Sequence, residues 1–273
     1  MAFDGKTART AGVGVALACL ATCVVAATPV AKVERYHGAP AIMVDGKPIP
    51  PMAVTLREGD CDNPSARSYL KRLGAAGIRL FFLCCHTSWQ QPGDPAKGIP
   101  SGGEETLARL RTILSEIPDA SIILRLTIAP SVAWVNAHPE EQVIYSDGKP
   151  RRTKCSSVSR TEAVDGMHSM CSEAWRRDGS RGIEAYVAEL GAHPEFDHVI
   201  GFFPCAGGTS EWYYPATEEG ARMCLPDGCC GDYSEPFRKE FEAYLRNRYG
   251  SVEALRRAWK SKDATFEHPT IPN

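Results

Sequence analysis

Four short apolar runs separated by amphipathic segments constrain the fold of this chain more than any other feature. The runs are Met52–Leu56, Ile78–Cys85, Ser121–Ile128 and His198–Phe203. Ile78-Arg-Leu-Phe-Phe-Leu-Cys-Cys85 is apolar almost throughout, the pattern of a strand covered on both faces. Between the runs, apolar residues recur at helical spacing. A helix is expected from Asn63-Pro64 to about Ala75, with Asn as the cap and Pro in the first turn. Gly103–Ile117 places Leu107, Leu110, Ile113 and Leu114 on one face. Arg181–Gly191 repeats the pattern with Ile183, Val187 and Leu190. Strands alternating with helices predict a parallel sheet with helices outside it. Connections are short before the strands and long after them, which suggests a β/α barrel whose long loops build the site. The expected fold is therefore α/β, a (β/α)8-type barrel of which about the first four βα units are present. An open doubly wound sheet is the alternative, but no Gly-x-Gly-x-x-Gly or phosphate loop follows any strand.

The flanks read differently. Lys6 and Arg9 precede an uncharged small and apolar run, Ala11 to Ala27, and Val25-Ala26-Ala27 offers small residues for cleavage. That is a secretory pattern, so residues 1–27 are expected to be a signal peptide of an exported protein. Residues 28–40 read as a linker, and residues 41–273 as the barrel part. Ala41–Ile49 reads as a hairpin turning at Asp45-Gly46. After the fourth strand, Ser234-Glu-Pro starts a helix through Tyr249, Gly250 stops it, and Ser251 caps a last helix, Val252 to Lys260.

The formal net charge of -2 gives no electrostatic case for nucleic acid or an anionic membrane. Nine of the eleven cysteines lie beyond the leader, an odd number that leaves at least one thiol outside any internal disulfide. Cys224, Cys229 and Cys230 form the densest group. A loop disulfide is favoured there over zinc, because a tetrahedral site lacks a fourth ligand. No metal or cofactor is expected.

The chemistry-bearing stretch is Val199-Ile-Gly-Phe-Phe-Pro-Cys-Ala-Gly-Gly-Thr-Ser-Glu-Trp-Tyr-Tyr214. An apolar strand ends in small residues that deliver one carboxylate, Glu211, among aromatic rings. Strand C-termini are where α/β proteins place chemistry, and aromatic surroundings raise a carboxyl pKa. The bland reading is a solvated turn. Trp212 follows directly and is the best stacking candidate. Arg125 interrupts an apolar strand; it either orients a substrate hydroxyl or Glu211, or forms a structural ion pair. His86 and Trp89, just past the second strand, and Trp134, in the loop after the third, either stack on a sugar or pack. Glu58 and Asp60 follow the first strand, and Glu173 reads as support for a helix start. Glu195 and Asp197 precede the fourth strand and fall at the wrong end of the barrel.

Several spaced motifs resemble glycoside hydrolase family 42, the β-galactosidase-like enzymes. Pro130-Ser-Val-Ala-Trp-Val-Asn-Ala-His-Pro-Glu140 with Tyr145-Ser-Asp-Gly148 is similar to that family's third βα loop. Val199-Ile-Gly201 through Ser210-Glu-Trp212 resembles the fourth strand carrying its acid/base glutamate. Phe237 to Trp259 resembles the helix that follows. The resemblance implies a barrel that hydrolyses β-linked sugars with retention, with Glu211 as acid/base and Ser210 at a position the family usually fills with a substrate-binding Asn. Retention needs two carboxyls about 5–5.5 Å apart, and the family takes its nucleophile from a seventh strand. Only four βα units are legible here. The expectation is a β-galactosidase-type half that is inactive alone, completed by a missing C-terminal half or a homo-oligomer. The alternative is a carbohydrate-binding pseudoenzyme. Either way the expected partner is a β-linked oligosaccharide or galactoside.

Overall fold

The computed structural model describes residues 29–89, 102–130, 132–146, 148–150, 152–153, 164–165, 168–205, 212 and 231–271. It opens with an antiparallel meander of β1 (Ala31–Tyr36), β2 (Ala39–Val44) and β3 (Lys47–Ile49). The expected hairpin is present. Asp45 and Gly46 take φ of 48° and 76°, the double positive φ of a tight hairpin turn. β1 lies inside the stretch read as a linker and pairs along its whole length with β2.

The core of the molecule is a four-stranded sheet of β4 (Ala53–Leu56), β5 (Leu80–Trp89), β6 (Ser121–Pro130) and β9 (Val199–Cys205), all parallel and in that order. Among the described residues β4 and β9 are its two edges, and the sheet is not closed. The expected α/β class and parallel pairing are therefore present, in an open arrangement.

The connections carry α1 (Glu58–Asp62), α2 (Ala66–Ala75), α3 (Gly103–Glu116), α4 (Val132–Ala137) and α5 (Glu173–Gly191). The helix expected from Asn63 starts at Ala66 instead. The Asn63 carboxamide oxygen accepts from the Ser65 backbone and hydroxyl, which makes a turn before the helix. The helix expected from Arg181 starts at Glu173, with the Ser172 hydroxyl accepting from the Trp175 amide as its cap. A two-residue ribbon, β7 (Arg152–Thr153) with β8 (Val164–Asp165), lies in the excursion before α5.

Alternate strand residues point into one sealed core. Phe81, Leu83, Ile122 and Leu124 are fully buried and share it with Leu70, Leu107, Leu110, Ile113, Tyr186 and Leu190 of α2, α3 and α5. The Tyr186 hydroxyl donates to Thr106 at 2.8 Å, which satisfies the one polar atom its burial would strand. α3 and α5 approach closely where Gly103 meets Glu189. A Cβ at Gly103 would lie 2.4 Å from the Glu189 carboxyl carbon, so only glycine fits without a shift.

Two further helices, α6 (Glu235–Tyr249) and α7 (Val252–Trp259), form a hairpin. Ser234 and Ser251 cap them, and Gly250 turns between them at φ 68°. Leu245, Leu255, Ala264 and Phe266 make a separate small core there, bordered by Phe241, Tyr249, Val252 and Trp259.

Candidate functional site

The sheet's second face differs from the sealed one. Register places Thr55, Phe82 and Ile123 in one row across it, and Cys84, Arg125 and Phe203 in the next. A third row, nearer the strand C-termini, holds His86, Thr127 and Cys205. Phe203 is 46% exposed, while Leu124 on the sealed face is 0%. Parallel sheets are ordinarily covered on both faces, so the half-exposed aromatics of the edge strand β9, Phe203 on this face and Phe202 at 41% on the other, mark an edge left to be covered or used.

Arg125 is the centre of that face. Its guanidinium carbon lies 5.9 Å from the centroid of the Phe203 ring, within reach of a cation–π contact. Phe203 in turn meets Phe82 edge-on at 6.4 Å. Arg125 also hydrogen-bonds the Cys84 sulfur. Burial pushes the Cys84 thiol up, while the charge and hydrogen bond of Arg125 act against that rise. In register the strand neighbours of Arg125 are a thiol and an aromatic ring. One row higher, the Thr127 hydroxyl and Cys205 sulfur are 3.7 Å apart, and the Cys205 thiol donates to the Leu126 carbonyl at 3.3 Å.

Trp212 sits at the end of this arrangement. Its side chain is 54% exposed, and its ring Nε1 donates to the Pro204 carbonyl at 2.9 Å. That bond holds residue 212 against the last turn of β9, with its ring open to solvent. Glu211 and Ser210 lie outside the described residues. So do the side chains of His86 and Trp89, whose backbones pair with Thr127 and Pro130 at the ends of β5 and β6.

Trp134 requires a correction. It is fully buried, its Nε1 donates to Asp178 at 3.0 Å, and its ring stacks on His138 at 4.2 Å. No open face is left for a sugar. Asp178 is itself 3% exposed and also accepts from Arg177; those two bonds hold its carboxyl below the usual range against the opposing effect of burial. The pair fastens α4 to α5.

Of the other carboxylates near the strand ends, the Glu58 side chain lies outside the described residues and the rest have structural places. Asp60 accepts from the Arg57 amide at 2.8 Å and closes the start of α1. Glu173 is exposed in the first turn of α5. Glu195 pairs with Arg111 at 2.9 Å, and with Asp197 it occupies a 3-10 turn, Pro194–His198, leading into the N-terminal end of β9. The wrong-end reading of those two therefore holds. Cys85 is sealed at 1% exposure, with its thiol pushed up to about 12 by burial. Cys61, Cys84, Cys85 and Cys171 are free thiols, while Cys155, Cys224, Cys229 and Cys230 lie outside the described residues. Among the described residues no cluster of His, Cys, Asp or Glu is arranged to hold a metal, and no helix is long and apolar enough to cross a membrane.

Phe203, Thr127 and Cys205 were missed by sequence reasoning. Their signal was available only through register: Thr127 is the i+2 neighbour of Arg125 on β6, and Phe203 and Cys205 lie opposite those two once β6 and β9 are aligned.

No protein-family model and no curated protein matches the chain. Solved structures do. A β-galactosidase from the psychrophilic Marinomonas ef1 superposes with a TM-score of 0.52 at 18% identity, covering 81% of this chain and 30% of its own. The catalytic domain of a β-amylase from Paenibacillus polymyxa superposes with 0.51 at 15% identity, covering 81% of this chain and 52% of its own. The chain thus spans between about a third and a half of the length of these structures, and what it shares with both is an α/β fold around a parallel sheet.

Proposed function

We propose that these four strands are the N-terminal part of a retaining glycoside hydrolase barrel of β-galactosidase type, family 42, acting on β-linked sugars in an exported protein. The observation that carries this reading is the Trp212 tether. It fixes an open indole at the C-terminal end of a parallel strand, next in sequence to the carboxylate that the resemblance marks as acid/base. The two fold relatives bear different activity names, so the choice of a β-galactoside rests on the sequence motifs and not on the superposition.

In this reading Glu211 protonates the leaving oxygen and later activates water, as retention requires. Trp212 offers a ring face to the sugar, and Ser210 a short hydroxyl. Arg125, held between Phe203 and Cys84, sets a positive charge deeper on the same face, where it favours an ionised carboxylate. In this reading the attacking carboxylate comes from elements beyond these four strands, as the family's seventh-strand nucleophile implies, and Asp60 and Glu195 are engaged elsewhere. The chain alone therefore binds sugar without turning it over. A specific feature favours a half-barrel that assembles with a partner over a self-sufficient pseudoenzyme. Among the described residues the sheet has two unpaired edges, β4 and β9, and β9 leaves Phe203 half exposed.

Aryl β-galactoside turnover and lactose binding by the wild-type chain and Glu211→Gln test the reading. Binding without turnover is expected of both. Turnover that Glu211→Gln abolishes would place the second carboxyl within these residues and overturn the incomplete pair. Absence of both binding and turnover would sink the glycosidase reading, and turnover of soluble starch would redirect it towards the amylase-like relative.

A further inference from the structure

A cavity of about 520 Å³ opens beside the α6–α7 hairpin, away from the sheet. Its volume is in the range of small-molecule sites. Trp259, Ser261, Asp263, Thr265, His268 and Thr270 line it. We propose that it is a binding site for one ring of a neutral carbohydrate, independent of whatever the strand-end loops bind.

The argument starts from how the walls are held. Trp259 ends α7 and is backed by Phe241 at 6.2 Å in a near-parallel stack, so its ring is fixed from behind. Residues 260–271 strap back over the hairpin. Ala264 and Phe266 are buried in the small core, Arg256 donates to the Ala264 carbonyl at 3.0 Å, and Arg246 lies 5.0 Å over the Phe266 ring. His268 is fixed twice. Its amide donates to Glu242 at 3.0 Å, and its Nδ1 faces Arg238 at 2.6 Å. A guanidinium can only donate, so Nδ1 accepts and the neutral ring carries its proton on Nε2. The walls are thus set before any ligand arrives, which lowers the ordering cost of binding.

The lining then selects a chemistry. It presents one aromatic ring, a carboxylate acceptor at Asp263, an imidazole N–H donor at His268, hydroxyls at Ser261 and Thr270 that both donate and accept, and the Thr265 hydroxyl, which donates to the Glu267 carbonyl at 2.7 Å and keeps its lone pairs for a ligand. A pyranose ring has an apolar C–H face and a rim of hydroxyls that each donate once and accept twice, and it matches this set group for group. An anion would meet the Asp263 charge. A quaternary ammonium would want a cage of several rings and finds one.

Lactose, maltose and cellobiose titrated in turn by calorimetry test the site in a Trp212→Ala background, which removes the strand-end platform. Saturable binding of at least one of them is expected. Asp263→Ala should weaken it tenfold or more and Trp259→Leu should abolish it. If Trp259→Leu does not fold, the exposed Asp263 decides alone. No saturable binding by any of the three, or an affinity unchanged by Asp263→Ala, overturns the proposal. Binding lost in Trp212→Ala yet intact in Asp263→Ala would overturn it while leaving the strand-end reading standing.

Discussion

The parallel sheet and the α6–α7 hairpin are built by opposite strategies. The sheet gathers its core from distant segments: Leu56, Leu83, Leu124 and Tyr186 meet although up to 130 residues separate them. The hairpin gathers its core from neighbours, with Leu245, Leu255 and Phe266 spanning little more than twenty positions. The first is a large sealed cluster and the second a small one with half-exposed borders. Non-local cores seal more surface but depend on register, whereas local cores depend on caps and turns. The two are joined through a polar seam. The Ser169 hydroxyl donates to Asp232 at 2.5 Å, Arg176 pairs with Glu240 at 2.7 Å, and the backbone of Tyr145 bridges that of Gly231, just before α6.

That contrast is broken most directly by matched truncations. Leu124 and Leu255 are both 0% exposed. Leu124→Ala should cost about 3–5 kcal/mol, because the central strand cannot collapse around the cavity. Leu255→Ala should cost about 2–3 kcal/mol, because the smaller core can relax towards solvent. Urea denaturation followed by far-UV circular dichroism measures both. Equal losses would mean that the two cores unfold as a single equally packed unit.

The seam responds to acid. His168 is fully buried, stacks on Trp175 at 4.2 Å, and has no hydrogen-bond partner for either ring nitrogen among the described residues. Burial lowers its pKa from 6.5 to about 3. The folded state therefore holds His168 neutral, while below pH 6.5 the unfolded chain takes up a proton that the folded one refuses. Stability from this group is complete above pH 6.5 and falls as pH drops towards 3, by about 2 kcal/mol between pH 6.5 and 5. His168→Phe keeps the stack and should flatten that slope. Urea midpoints at pH 7, 6 and 5 that shift equally in both proteins would assign the acid sensitivity elsewhere.

The same contrast decided what the sequence disclosed. Ser234, Gly250 and Ser251 mark the hairpin boundaries by chemistry that acts within one turn, and they stand where they were read. The ends of β5 and β6 do not announce themselves. Their ladder continues past the apolar runs to Trp89 and Pro130 because each strand is paired by the other. The start of α5 was hidden by the charged residues Arg176, Arg177 and Asp178 and by Gly179, and burial of Trp175 and Asp178 against distant segments keeps that stretch helical. Arg125 stood out as a charge in an apolar strand, but its neighbours Cys84 and Phe203 came only with register. Trp134 stayed open between stacking and packing for the converse reason. An aromatic just after a strand looks like a stacking platform until Asp178, 44 residues on, claims its N–H.

The smallest expected effect tests whether the hairpin truly depends on local signals. Ser251 has φ −142° and ψ 154°, outside the helix, and its hydroxyl accepts from the Ala254 amide at 3.2 Å. Ser251→Ala removes that acceptor and leaves one donor of the first turn of α7 to water, a loss of about 1 kcal/mol. The loss should fall on the hairpin alone. Hydrogen exchange resolved by residue reads this directly: amides of α7 should exchange about fivefold faster, while those of β5 and β6 stay as they were. Equal acceleration in both places would mean that the hairpin opens only with the sheet, and the two cores would then have to be treated as one.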